Sequence, residues 1–288
     1  MRLRAALAVL ILSAVLPCAT SELAAAQAKG ALTSYDFAAA PASRVELPAE
    51  LSEISGLAYT GDSRLLAQGD ESAVIWEIGW PRGRLVKRFG IGGESGPRRG
   101  DFEDIQVVGG RIYLVTSSGQ LVVGQEGSDG QTTPVLGATR GLKAGCEVEG
   151  MSWDAGSKAM LLLCKTVHSR RWKNQVVVLA VSPETGRFEA EPRLAVPEKE
   201  LHRVTGQKGF AGSALVRHPR TGTYILLAGH QRAIAEVDST GTVLGGAPLA
   251  AGRHRQPEGI AIASDGTLLI SDEAAGKAAT ITGYASRR

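Results

Sequence analysis

The sequence predicts an all-β fold, and three observations carry that prediction. One pattern, two short apolar strands joined by a Gly-containing turn, occurs five times along the chain. The copies follow each other at nearly constant spacing. The best candidate for an amphipathic helix, PEKELHRV at residues 197–204, allows two turns at most. Arrays of helical repeats, which need two helices per unit, are therefore excluded.

A glycine, or an aspartate in one copy, marks the same place in the first strand of each repeat. The markers are Gly56, Asp104, Gly150, Gly212 and Gly259, and their spacings are 48, 46, 62 and 47 residues. A period near 47 residues made of strands and turns is typical of a β-propeller blade. We therefore predict a propeller of five blades with four antiparallel strands each. Six blades, one of them weakly marked, is the alternative.

Each repeat leaves room for two more strands after the marked hairpin. Blade one continues with AVIWEI and RLVKRFG, blade three with NQVVVLAV and RFEAEPRLAV, and blade four with AIAEVD and TVLGGAPL. The last blade has only a third strand, AATITGYA, before the chain ends. RVELP, residues 44–48, precedes blade one, and we expect it to supply the missing strand and close the ring.

The N-terminal residues have the pattern of a secretory signal peptide. Arg2 and Arg4 precede an apolar run over residues 5–16, and small residues at A-x-A spacing follow over residues 24–28. A lipid anchor on Cys18 is the weaker alternative, because Pro17 stands where a small residue is expected.

The signal pattern sets the predicted domain organisation and location. We expect a signal peptide over residues 1–28 that is removed after Ala26 or Ala28, a linker over 29–43 and one propeller domain over 44–288. No later segment is long and apolar enough to cross a membrane. The predicted location is the periplasm or the cell exterior.

The composition excludes some partners. The net charge is +3, charged residues make up 21% of the chain, and no long run of Lys or Arg occurs. A nucleic-acid surface is therefore not predicted. We also expect a monomer. No G-x-S-x-G, P-loop, H-E-x-x-H or C-x-x-C motif occurs either.

Two cysteines remain after the signal peptide, Cys146 and Cys164. The segment between them reads as strand, turn and strand, with Asp154-Ala155-Gly156 as the turn. A hairpin centred on residue 155 places the two cysteines directly opposite each other, at a spacing that a disulfide can bridge. We predict a disulfide, which an oxidising compartment permits. Two unpaired core thiols are the alternative.

Several of these segments resemble one protein family. EISGLAY, CEVEGMSWD followed by LLLCK, and HRQPEGIAIASDGTLLISDE occur in the order found in the SdiA-regulated family of exported bacterial β-propellers. The resemblance covers roughly residues 50 to 275. The repeated unit is also similar, more generally, to NHL and gluconolactonase-like propellers. The resemblance implies the fold but no particular activity.

Acidic residues occupy positions that a propeller brings together. The first strand of each blade starts, and the second strand ends, at the same face of the ring. The starts carry Glu53, Asp101, Glu103, Glu147, Glu149 and Glu258, with Ala211 in blade four. The ends carry Asp70, Glu71, Lys165, His230, Gln231, Asp272 and Glu273. We therefore predict a ring of carboxylates around one mouth of the central channel.

Crowded carboxylates must be protonated or neutralised by a cation. Ca²⁺ is the candidate cofactor, because it prefers oxygen ligands, and Glu149, Glu258 and Asp272 are the candidate metal ligands. Some gluconolactonase-like propellers hold a metal at this mouth. Basic side chains near the same face could pair with the acids instead; they are Lys165, His168, Arg170, Arg171, Arg232, Arg253, His254 and Arg255. A structural role, in which these glutamates accept hydrogen bonds from a neighbouring blade, is a further interpretation.

The predicted function is binding of a small polar ligand or a component of the cell envelope at this mouth, with Ca²⁺ as the candidate cofactor. The candidate binding residues are Glu53, Glu71, Glu103, Glu149, Lys165, His230, Arg255, Glu258 and Glu273. One alternative is a metal-assisted hydrolase of lactones or esters, with Glu149 or Glu258 as the base. Another is a metal-free scaffold for protein interactions. The sequence favours binding over catalysis and assigns no catalytic residue.

Overall fold

Five antiparallel sheets make up the protein, described here from a computed structural model that covers residues 30–60, 62, 64–142 and 145–287. The sheets are the blades of a five-bladed β-propeller, which confirms the predicted fold. The predicted signal peptide lies outside the described residues. No helix in the part of the chain that is described is long and apolar enough to cross a bilayer.

The strands follow the chain order of the repeats, apart from the first one. β1 (Ser43–Glu46) belongs to blade five. Blade one contains β2 (Ile54–Tyr59), β3 (Leu65–Gly69), β4 (Val74–Gly79) and β5 (Arg84–Gly93), with the short β6 (Gly96–Pro97) beside β5. Blade two contains β7 (Phe102–Val108), β8 (Arg111–Thr116), β9 (Leu121–Gln125) and, after β10 (Thr132–Pro134), β11 (Gly137–Ala138).

The other three blades have four strands each. Blade three contains β12 (Cys146–Asp154), β13 (Ala159–Val167), β14 (Gln175–Val181) and β15 (Leu194–Pro197). The helix α1 (Glu198–Thr205) follows β15. Blade four contains β16 (Ala214–Arg217), β17 (Tyr224–Ala228), β18 (Ala233–Val237) and β19 (Val243–Pro248). Blade five contains β20 (Pro257–Ile262), β21 (Leu268–Asp272) and β22 (Thr280–Tyr284).

The N-terminal strand closes the ring. β1 pairs antiparallel with β22, with Ser43 opposite Gly283 and Glu46 opposite Thr280. This confirms the strand predicted at residues 44–48. Blade one gains a further strand that the repeat did not predict, because β10 adds to β5 in parallel.

The core lies between the blades. The buried apolar side chains of the described residues fall into five clusters, one at each boundary between neighbouring blades. Middle strands such as β13 and β17 are apolar along most of their length because both of their faces are covered. Five boundaries for five blades leave no open side in the ring.

The repeat markers lie where the inner strands of adjacent blades approach each other. A Cβ on Gly56 would lie 2.9 Å from the Ile105 nitrogen, and one on Gly150 would lie 2.8 Å from the Leu215 nitrogen. Glycine is therefore required at these positions. In blade two, Asp104 is buried and accepts hydrogen bonds from the backbone N–H groups of Ile105 at 2.8 Å and Met151 at 2.6 Å. It thus joins blades two and three.

The predicted disulfide is present, but the predicted register of its hairpin is wrong. Cys146 and Cys164 are bonded, with their Cα atoms 5.6 Å apart. Cys146 stands opposite Val167, while Cys164 stands opposite Val148. The turn is longer than predicted, since Asp154 pairs with Ala159, and two β-bulges shift the register near Cys146. The disulfide therefore links the strands diagonally.

Residues 30–37, which belong to the predicted linker, pack against the ring. Ala31 and Leu32 donate their backbone N–H groups to the buried carboxylate of Glu236, at 2.8 and 2.7 Å. Tyr35 and Phe37 belong to the apolar cluster between blades four and five. This segment is thus a part of the folded domain.

Candidate functional site at the channel mouth

A β-bulge near the start of the inner strand recurs from blade to blade. The register leaves Glu103 in β7 and Glu149 in β12 without a partner on the second strand. The bulge in β20 includes Glu258, and that in β2 includes Ser55. Ala211 takes the equivalent place in blade four, just before β16. Because a bulge re-aims its extra side chain, three blades present a glutamate at the same level of the ring.

The three bulge glutamates form one electrostatic group. Burial raises the pKa of Glu103 to about 9, and the charges of Glu149, Asp101 and Glu258 add to the shift. Burial also raises the pKa of Glu258 to about 8, with further contributions from Glu273 and Glu149. The sites influence one another, so they titrate as a group rather than one by one.

The group extends to the ends of the second strands. Burial raises the pKa of Glu273 to about 7, and the charges of Asp70 and Glu53 add to it. These residues come from blades five and one. The structure therefore brings together acids from four blades around the mouth.

One ammonium stands within this group. The Lys165 Nζ donates to Glu149 Oε1 at 2.8 Å, and 43% of the lysine side chain remains exposed. Burial acts to lower the pKa of Lys165, but the hydrogen bond and charge of Glu149 outweigh it and raise the value. Burial dominates for Glu149, whose pKa is raised in spite of the lysine. Lys165 therefore neutralises one carboxylate, and no other described residue provides a cation that pairs with Glu103, Glu258 or Glu273.

A cavity of about 330 Å³ opens at the mouth, beside blades three, four and five. We call it the mouth pocket. Its lining consists of Glu149, Lys165, Ala211, Ser213, Gly229, His230, Arg232, Arg255, Gln256 and Glu258. The volume lies at the lower end of the range for small-molecule sites, roughly 300–1,000 Å³.

The two arginines of the mouth pocket are held by backbone carbonyls. Arg232 donates from Nε to the carbonyl of Arg255 at 3.2 Å. Arg255 donates from Nη2 to the carbonyls of Ala274 and Ala278, at 3.0 and 3.1 Å. Among the described residues, neither guanidinium lies within ion-pairing distance of a carboxylate.

The predicted site residues divide into three sets. Glu149, Lys165, His230, Arg255 and Glu258 line the mouth pocket. Glu103, Glu53 and Glu273 contribute to the shared electrostatic field. Glu71 is exposed outside the pocket lining, and its backbone carbonyl accepts a hydrogen bond from the Gly100 N–H.

Asp272 does not join Glu149 and Glu258, so the predicted set of three metal ligands is not assembled. Its carboxylate is buried and lies 2.8 Å from Nδ1 of His254, whose Nε2 in turn lies 2.6 Å from the Tyr284 hydroxyl. Successive residues of a strand point to opposite faces, and Glu273, not Asp272, faces the mouth. Within the described residues, no three His, Cys, Asp or Glu side chains are grouped so as to hold a metal ion.

Two lining residues with polar side chains were missed by sequence reasoning. Ser213 follows the marker of blade four, and its hydroxyl donates to the Pro257 carbonyl at 3.0 Å. Gln256 precedes β20 and donates to Glu273. Their places beside a marker and at a strand entry were the available signals, but neither residue type is distinctive at such a place.

A larger cavity, of about 680 Å³, lies away from the acids, between residues 30–38 and β19. Its lining is mostly apolar. Its one buried carboxylate, Glu236, is already used by the backbone of the N-terminal segment. The mouth pocket is therefore the better candidate for binding a polar ligand.

Comparison with known proteins agrees with the fold. The sequence profile of the family described as SdiA-regulated matches residues 31–275. No curated protein sequence matches the chain significantly.

Several solved structures share the propeller architecture. Myxococcus xanthus glutaminyl cyclase is 13% identical, with a TM-score of 0.55, and the match covers 85% of this chain and 94% of that one. The PQQ-bound aldose sugar dehydrogenase from Streptomyces coelicolor is 12% identical, with a TM-score of 0.53 and coverage of 85% and 99%. A luciferin-regenerating enzyme is 10% identical, with a TM-score of 0.51 and coverage of 85% and 96%. At these identities the likeness concerns the fold alone.

Proposed function

The chain belongs to the SdiA-regulated family, and we propose that its propeller binds a small polar ligand, one that carries a positive charge, at the channel mouth. One observation carries the proposal. Three blades place Glu103, Glu149 and Glu258 around a single ammonium, that of Lys165, which pairs with Glu149. A cationic ligand would supply the charge that the remaining carboxyl groups lack.

The protonation of the site gives this proposal a physical basis. Glu103 and Glu258 have pKa values of about 9 and about 8, so both are largely protonated at neutral pH when nothing is bound. A bound cation favours the ionised form and releases protons. The ligand therefore binds more tightly as the pH rises towards these values.

Ca²⁺ is a poorer fit to the site than an organic cation. The described residues group no three metal-ligating side chains, and Lys165 occupies the space beside Glu149. Ca²⁺ takes 6–8 oxygen ligands, roughly, in most proteins. Ca²⁺ therefore serves as the comparison ligand.

Thermal unfolding with a panel of ligands tests the proposal. We expect putrescine and other small amines to raise the Tm at pH 8, and glucose to leave it unchanged. The Glu258→Gln variant removes the carboxylate and should abolish the shift. Glu184→Gln, which alters an exposed carboxylate away from the pocket, is the matched control and should keep it.

Two results would overturn the proposal. In one, no cation in the panel, Ca²⁺ included, shifts the Tm of the wild-type protein. In the other, the protein hydrolyses lactones, and the turnover is lost in the folded Glu258→Gln variant; the mouth would then be a catalytic site.

A further inference from the structure

The mouth pocket contains cations that its carboxylates do not neutralise. Arg232 and Arg255 line the same cavity as Glu258, yet both guanidinium groups are held by backbone carbonyls. Arg255 also has a buried Nε without an acceptor. The protein thus leaves these two groups short of hydrogen-bond acceptors and of negative charge.

An arginine that is not paired within the protein suits a carboxylate in particular. The planar guanidinium offers parallel N–H groups that match the two oxygens of a carboxylate. The backbone carbonyls fix the position of each arginine before a ligand arrives, which lowers the entropy lost on binding. Lys165 is less suited to this role, because Glu149 already neutralises it.

Both kinds of charge therefore meet in one small pocket. Glu258 lines the pocket together with Arg232 and Arg255, and Glu273, which lies outside the lining, adds to the negative field at Glu258. A pocket of about 330 Å³ is at the lower end of the size range of small-molecule sites, so it suits a ligand of amino-acid or dipeptide size. A ligand with a single charge would pair either with the carboxyl groups or with the arginines, but not with both.

We propose that the ligand is a zwitterion of amino-acid or dipeptide size, with its ammonium on Glu258 and its carboxylate on Arg232 and Arg255. This inference rests on the proposed function, because it names the class of ligand for the same pocket. Neutral sugars lack both charges, so we expect them not to bind in this pocket. A simple amine uses only the acidic half.

Isothermal titration calorimetry with matched ligands tests the inference. The panel contains the twenty free amino acids and Ala-Ala, together with Ala-Ala amide, which lacks the carboxylate, and N-acetyl-Ala-Ala, which lacks the ammonium. We expect at least one zwitterion to bind, and its amide and its acetylated form to bind about tenfold more weakly or worse.

Variants assign each charge to its partner. Arg232→Gln should lower the affinity for the zwitterion by about tenfold and leave the affinity for its amide unchanged. Arg255→Gln should have the same effect. Because Arg255 also donates hydrogen bonds to the loop around Ala274, Arg255→Lys is tested beside it as a variant that keeps the positive charge. The Tm of each variant reports whether it is folded.

The outcomes separate this inference from the proposed function. If the amide binds as tightly as the zwitterion from which it derives, and its binding still requires Glu258, the ligand is a simple cation. The zwitterion proposal is then wrong, and the proposed function stands. If neither zwitterions nor amines bind the folded protein, both fail. If Arg232→Gln weakens parent and amide equally, the assignment of the carboxylate is overturned.

Discussion

At the scale of single residues, Glu103 links the mouth to the stability of the protein. Its pKa rises from 4.5 to about 9 on folding, mainly through burial. Between these values the folded state holds a proton that the unfolded state has lost. The contribution of Glu103 to stability is therefore full below about pH 4.5 and falls as the pH rises towards 9.

Glu103→Gln should remove this pH dependence. Glutamine resembles the protonated carboxyl group in shape but cannot ionise. We expect a higher Tm than wild type at pH 8 and little difference at pH 4.5. A gain of about 1 kcal/mol would appear as a rise of ~2 to 4 °C in a domain of this size. Differential scanning fluorimetry at both values of pH measures it, and an equal shift at both would contradict the burial argument.

Asp104 supports a prediction of its own. Its buried carboxyl group accepts from the Met151 N–H of the next blade. Asp104→Ala leaves that N–H without a partner, at a cost of about 1–3 kcal/mol. Asp104→Asn keeps an acceptor and should lose less. Chemical denaturation measures both variants, and equal losses would show that the inter-blade hydrogen bond contributes little.

At the scale of elements, the bulged inner strand performs two tasks. Its marker packs closely against the neighbouring blade, while the preceding residue turns towards the mouth. This explains why the same short segment carries both the architectural glycine and the acidic residue. In blade three a disulfide additionally fixes the start of the bulged strand, three residues before Glu149.

Reduction of the Cys146–Cys164 disulfide should destabilise the protein. The bridge closes a short loop, for which the chain-entropy estimate is about 3 kcal/mol. We expect the Tm to fall on reduction by a phosphine, and to fall similarly in the Cys146→Ala/Cys164→Ala double variant, which should not respond to the phosphine. An unchanged Tm in the reduced protein, with both thiols shown to be free, would contradict this estimate.

At the scale of the whole molecule, ring closure depends on the segment before blade one. β1 covers the edge of β22, and residues 30–37 cover the boundary of blades four and five. A chain beginning at residue 38 keeps β1 and should remain soluble, with a lower Tm. A chain beginning at residue 49 exposes a strand edge and should aggregate. Light scattering after size-exclusion chromatography compares them; two equally soluble chains would show that closure by β1 is dispensable.

The regular repeat made the ring predictable from the sequence. The five markers, the N-terminal closing strand and the gathering of acids at one mouth all follow from one unit that repeats. What the repeat could not give was local register. Asp272 shows this. A shift of one residue along β21 decides whether a side chain points into the mouth or, like that of Asp272, is buried against His254. The diagonal disulfide is a second case, since the bulges beside Cys146 are not visible in the pattern.

Charge pairing was also beyond the sequence. Basic residues near the mouth were all candidate partners for the acids, but Lys165 alone among the lining residues pairs with a carboxylate. Which cations pair depends on three-dimensional positions that no spacing along the chain encodes. Arg232 and Arg255 are instead fixed by backbone carbonyls from nearby loops.

The most direct test of a cation-binding mouth is the number of protons released on binding. Calorimetric titration with the tightest amine or zwitterion at pH 7, in buffers of different ionisation enthalpy, gives that number. We predict release of protons in the wild-type protein, since Glu258 with a pKa of about 8 is largely protonated before binding, and a smaller release in any Glu258→Gln variant that still binds. Binding without proton release, or release unchanged by Glu258→Gln, would contradict the account.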